Sequence, residues 1–220
     1  MLKRWIEIFS IIDFIAVGML LSVIAMNSLK RIESCLKAYI INSSLLALLM
    51  VATAIYLSIP HLYLAAFFTI AGKCILIPYF LRKVIRQLKV THDVEPYISS
   101  SLSLAASFAI VTIVYSVLSE GIFVAGLTRT VLKISVSIIL ISLFVMMTRK
   151  KAVTQVMGLL FMENGLFLAG FSLTFGMPTI IELGVLFDML MGVLILGVFL
   201  SQIKKAFVSV DLDKLTSLKG

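Results

Sequence analysis

Apolar residues run through this chain in long unbroken stretches, broken only by short polar connections. The stretches do not alternate apolar and polar positions, as the strands of a membrane β-barrel would. About 20 consecutive apolar residues in a helix cross the hydrocarbon core of a bilayer. By that length the sequence predicts seven spans, at 5–26, 37–59, 61–81, 99–118, 131–148, 153–174 and 179–203. Pro60 separates the second from the third in a tight hairpin, because proline ends or kinks a helix. The one sizeable polar connection is 82–96, and a turn at 176–178 separates the last two spans. The predicted fold is all-α, a polytopic membrane protein in one integral membrane domain. No repeat and no linker to a soluble domain stands out.

Composition agrees with that pattern. Hydrophobic residues make up 61% of the 220 residues and charged residues 14%, against about half and a quarter in soluble domains. The first apolar run is about twice the length of a signal-peptide core, so a retained span is expected there. The net charge of +8 does not call for nucleic acid, because its basic residues lie in the short connections. With seven spans, Lys3, Arg4, Arg129 and Lys133 fall on one face. Fourteen Lys and Arg fall on the other, and Lys73 lies within a span, which accounts for all 19. Positive residues stay in the cytoplasm, so the expected topology is N-terminus outside and C-terminus cytoplasmic, in the cell membrane.

Cysteine and histidine usage gives no cofactor site. Cys35 and Cys74 form no C-x-x-C, which argues against an iron–sulfur cluster or structural zinc. His61 and His92 lie near span ends, poorly placed to hold a haem between helices. No phosphate-binding glycine loop, zinc-hydrolase helix or nucleophile motif is present. No cofactor and no catalytic centre are expected.

The candidate chemistry lies in four charges inside the spans: Asp13, Lys73, Glu163 and Asp188. A charge at a helix centre costs roughly 2.5–3.5 kcal/mol on the insertion scale, so such residues face protein or water and mark ion paths. Asp188 lies near the middle of the seventh span, with Gly184 and Gly192 four residues away on either side. Those glycines predict close approach of another helix. Glu163 lies midway along the sixth span, beside Asn164, and an antiparallel neighbour would bring it to the depth of Asp188. Lys73 precedes Pro78, whose missing N–H frees the carbonyl of Cys74. Asp13, in the first half of the first span, is a further candidate, with a wet crevice or Lys73 as its partner. Static pairing that only fixes helix packing is the competing reading for each of them.

Three runs carry a resemblance. They are Gln155 to Gly165, with Met162-Glu163-Asn164-Gly165 at its end, Glu182 to Asp188, and Leu212 to Gly220. Together with Gly72-Lys73 and Pro78 they resemble the hydrogenase-4 component E (HyfE) family, strongly from about residue 150 onward. The last three spans also resemble NuoK of respiratory complex I and MrpC of cation/proton antiporters. NuoK-type subunits carry two acidic residues within the membrane. The second matches Asp188; the first falls on Leu160, one turn before Glu163.

The resemblance implies a division into an N-terminal membrane region at 1–148, NuoK-like helices at 149–205 and a cytoplasmic tail at 206–220. It implies a membrane-arm subunit of a complex I-like [NiFe] hydrogenase or formate hydrogenlyase, part of a redox-driven proton-translocating oxidoreductase. Asp188, Glu163 and Lys73 would form its proton path. Its partners would be antiporter-like and NuoH-like membrane subunits, with the [NiFe] and Fe–S subunits reached indirectly. A subunit of an MrpC-type antiporter and a scaffold that moves nothing are the alternatives. Val210, Leu212, Leu215 and Leu218 give the tail an apolar docking face under each reading.

Overall fold

A computed structural model describes residues 2–57, 60–87, 97–118 and 129–174, together with Gly184 and Gly192. Every regular element in the described residues is a helix. They are α1 (Leu2–Ser28), α2 (Ile32–Leu57), α3 (His61–Thr69), a π-helical segment (Ile70–Leu76), α4 (Ile77–Gln87), α5 (Ser100–Val117), α6 (Arg129–Thr148) and α7 (Ala152–Thr174). Six stretches are long and apolar enough to cross a membrane, the third running through α3, the π segment and α4. These are the first six predicted spans, with ends shifted by a few residues. The seventh, with the 176–178 turn, Asp188 and the tail, lies outside the described residues, apart from Gly184 and Gly192.

Long apolar segments become helices here because lipid offers no partner to a bare N–H or carbonyl. Packing then decides which side of each helix faces in. α1 packs against α2, α5 and α6, while α2 also touches α3, the π segment and α7. The core between them includes Ile12, Met19, Leu36, Tyr39, Leu46, Phe161 and Phe171, all buried. Outward positions remain apolar, with Phe14, Phe67, Val117 and Met147 largely exposed. That inversion of the usual surface is expected when lipid is the solvent.

α6 and α7 form the tightest pair, and glycine is the reason. A Cβ on Gly158 would lie 2.8 Å from Met146 Cγ and 3.2 Å from the Ser142 carbonyl oxygen. A Cβ on Gly165 would lie 2.8 Å from Ile138 Cγ2 and 3.0 Å from Ile139 Cγ1. Spaced seven apart, the two glycines share a face and let the backbones approach. Gly184 makes a similar approach: a Cβ there would lie 2.6 Å from Phe167 Cε2 on α7. Gly192 does not, since a Cβ there has no described neighbour within 4 Å.

Substituting Gly158→Leu forces α6 and α7 apart. The expected loss is about 1–3 kcal/mol, the usual scale for overpacking. Gly72→Ala, with nothing within 4 Å of the new methyl, is expected to be tolerated. Thermal unfolding in detergent, followed by circular dichroism, checks both. Equal melting of the Gly158→Leu variant and the wild type would contradict the close packing.

Candidate functional site

Lys73 sits inside the π segment, and its position follows from Pro78. Proline has no N–H to give the carbonyl four residues back, and its ring crowds that carbonyl. Widening the preceding turn moves the Cys74 carbonyl aside. The N–H of Ile77 accordingly bonds the Gly72 carbonyl, five residues back. Single π turns of this kind recur at functional sites.

The widened turn points Lys73 into the bundle, where only 1% of it is exposed. Its ammonium lies 3.3 Å from a carboxylate oxygen of Glu163 on α7. It also donates to Asn164 Oδ1 at 2.9 Å. Asn164 Nδ2 donates to Asn42 Oδ1 at 2.8 Å and to Ser43 Oγ at 3.0 Å, both on α2. Asn42 Nδ2 passes the chain to α1, donating to Ser22 Oγ at 2.8 Å and to the Met19 carbonyl at 3.0 Å. Ser22 Oγ closes it on that same carbonyl. Every donor in this chain points from Lys73 toward α1. Turning either amide over would set donor against donor.

The network lies at one depth. Met19 is the middle residue of the span Ser10–Ser28. Lys73 and Glu163 each lie within one residue of the middle of Leu62–Lys83 and Ala152–Leu173. Asn42 and Ser43 lie within two residues of the middle of Ile32–Tyr56. Tyr39 and Phe161, edge to face at 5.7 Å, pack beside it. The arrangement can do two things chemically. Glu163 can gain or lose a proton beside a fixed positive charge. The amides can only orient and polarise, since they do not titrate in water's range.

Sequence reasoning singled out Lys73 and Glu163, and the structure brings them together. Asp188 lies outside the described residues. Asp13 is half-buried on α1 and nine residues before Ser22. At 1.5 Å per residue that is roughly 13 Å along α1 from the mid-depth network's anchor on that helix. Asp13 acts on Tyr115 of α5, whose ring centroid lies 5.3 Å from Lys133 Nζ of α6.

Asn42, Ser43 and Ser22 were missed. The signal was available: Asn42-Ser43-Ser44 is a polar run in the middle of an apolar span.

Arg149 was read as a cation of the basic face. It does lie at that end, but it is 2% exposed. Its guanidinium donates to the Asn27 backbone carbonyl and, at 3.2 Å, to Asn27 Oδ1. The Asn27 carbonyl belongs to the last turn of α1, where carbonyls lack helical partners and a cation suits the dipole. Asn27 Nδ2 reaches the Ser103 carbonyl and Ser107 Oγ on α5 at 3.0 and 2.7 Å. Gln155 Nε2 holds the Arg149 carbonyl at 2.8 Å. This second network ties α1, α5, α6 and α7 together. Burial pulls the guanidinium's pKa below its ordinary value. Among the described residues, no three His, Cys, Asp or Glu side chains come together as metal ligands.

Fold and site together define a helical, membrane-embedded protein with a buried ion pair at mid-depth. The chain is similar to the uncharacterized protein Rv0085 of Mycobacterium tuberculosis (strain ATCC 25618 / H37Rv), with 29% identity over 152 residues, 68% of this chain and 69% of the relative. No family model matches the chain. No solved structure matches it.

Removing one member of the ion pair takes from the other, still buried, its opposite charge at 3.3 Å. Lys73→Met and Glu163→Leu are each expected to cost about 3–5 kcal/mol. The double variant should cost clearly less than the sum. A double-mutant cycle of unfolding in detergent measures this. Additive losses would show that the two charges do not stabilise each other.

Proposed function

We propose that this protein is a membrane-arm subunit of a complex I-like [NiFe] hydrogenase, and that Glu163, Lys73 and Asp188 carry protons through its midplane. The observation that carries the reading is the Lys73–Glu163 pair, buried at mid-depth and 3.3 Å apart. A proton arriving on Glu163 neutralises the carboxylate and releases Lys73 to Asn164. When the proton moves on to Asp188, the pair re-forms. Breaking a buried pair is worth about 3–5 kcal/mol. Moving one charge through 100 mV takes about 2.3 kcal/mol. Making and breaking this one pair is therefore a sufficient energetic step.

The contact of Gly184 with Phe167 supports the place of Asp188 in the path. Phe167 lies four residues after Glu163, and Gly184 four before Asp188. In an antiparallel seventh helix, as the sequence predicts, those spacings bring both carboxylates to one depth. The resemblance to the hydrogenase-4 component E family supports the choice of complex. In that reading, redox chemistry lies in the [NiFe] and Fe–S partner subunits, and antiporter-like and NuoH-like subunits flank the chain. The face bearing Lys30, Arg31, Lys37, Arg82, Lys83, Arg86, Lys150 and Lys151 is then cytoplasmic.

The completeness of the amide chain from Asn164 to Ser22 favours a second reading, a scaffold whose polar groups only hold helices together. The test is proton uptake into everted membrane vesicles, driven by the complex's own redox reaction. Glu163→Gln and Asp188→Asn are each expected to reduce it at least tenfold while the partner subunits still copurify. Wild-type uptake in both variants would overturn the proposal. Loss of partner subunits with unchanged uptake per assembled complex would select the scaffold. Uptake that persists under an imposed ion gradient without the redox donor would select an MrpC-like antiporter subunit.

A further inference from the structure

The end of the third span carries a feature that the proton path does not use. α4 has two unlike sides. Ile77, Leu81 and Ile85, spaced by four, are buried against the bundle. Tyr79, Arg82, Lys83 and Arg86 lie on the opposite side and are exposed. These four line a cavity of about 450 Å³, and no carboxylate is among its described lining residues.

Three cations gathered on one wall repel one another unless an anion joins them. The cavity's place says which anion. The third span ends at Lys83, so the cavity lies where the hydrocarbon gives way to headgroups. Directly inward on that side, Ile75 and Leu76 are 64% and 54% exposed, an apolar track for an acyl chain. Tyr79 stands between track and cavity, its ring held edge to face against Phe80 at 5.8 Å. An amphipathic ring at that level is the usual residue of the membrane interface. Arginine adds a forked donor that fits two phosphate oxygens at once.

We propose that Tyr79, Arg82, Lys83 and Arg86 form a headgroup site for an anionic phospholipid, whose acyl chain lies along Ile75 and Leu76. The phosphate accepts from the two guanidinium groups and the ammonium, and the tyrosine hydroxyl marks the boundary of the hydrocarbon. The site stands independently of proton movement and needs only that the protein is embedded in a membrane.

The full-length protein, reconstituted in nanodiscs of phosphatidylcholine with a minor share of phosphatidylglycerol, provides the test. Native mass spectrometry of the released protein counts the retained lipid. The wild type should retain phosphatidylglycerol several-fold above its share of the bilayer. The triple variant Arg82→Gln, Lys83→Gln, Arg86→Gln should fall to that share, and Arg86→Gln alone should fall partway. All three side chains are exposed, and helical circular dichroism confirms folding of each variant. Lys150→Gln with Lys151→Gln should retain the lipid as the wild type does. Undiminished retention in the triple variant, or equal loss in the Lys150 and Lys151 variant, overturns the site in favour of diffuse attraction. Displacement of the lipid by millimolar inorganic phosphate overturns the lipid in favour of a soluble phosphate.

Discussion

Two opposite charges held 3.3 Å apart in the middle of an apolar bundle set the conditions for the helices around them. Each ion alone would cost several kcal/mol to remove from water. Their mutual attraction offsets this only when the remaining hydrogen-bonding groups are also met. Lys73 therefore cannot be placed by any ordinary turn of its helix. It needs Pro78 to disturb the backbone and the π segment to widen it. Glu163 needs α7 drawn close against its neighbours, which Gly158 and Gly165 allow.

The same constraint explains why the polar residues come in chains. An amide buried in hydrocarbon is costly unless its donors and acceptor are satisfied. Asn164 meets that demand through Asn42 and Ser43, Asn42 through Ser22 and the Met19 carbonyl. Once one charge pair is buried, a neutral relay to α1 follows as its support. At the basic end, Arg149 and Asn27 solve a different problem, the unpaired carbonyls at the end of α1. α1 carries both solutions, at Ser22 and Asn27, so its position is fixed at mid-depth and at one face together.

Helix existence was legible in the sequence because apolar length is a direct readout of bilayer thickness. The first six predicted spans correspond to six membrane-length stretches. Lys73 and Glu163 were legible because charge in such a stretch is rare. Their partnership was not, because a contact between residues 73 and 163 depends on how helices pack, which no local pattern records. The burial of Arg149 and its bond to Asn27 were hidden for a related reason. A cation at the end of a span resembles every other loop cation until a neighbouring helix end is found to claim it. Asn42 and Ser22 stayed hidden because neutral polar residues are common enough in membrane helices to pass without remark.

What separates a path from a rivet is which groups can change state. In the mid-depth network the asparagines and serines are neutral in every relevant state and keep one hydrogen-bond pattern. They hold Lys73 from one side and give it a fallback acceptor in Asn164. Glu163 is the member that can exist both as an anion and as a neutral acid. Among its described neighbours is the ammonium of Lys73, 3.3 Å away. That lysine lies in the segment whose backbone departs from regular α-helix, where a return to ordinary pitch is a small local change. The rigid amides and the irregular backbone are thus complementary. One side of Lys73 is held by Asn164, and the other faces the carboxylate of Glu163.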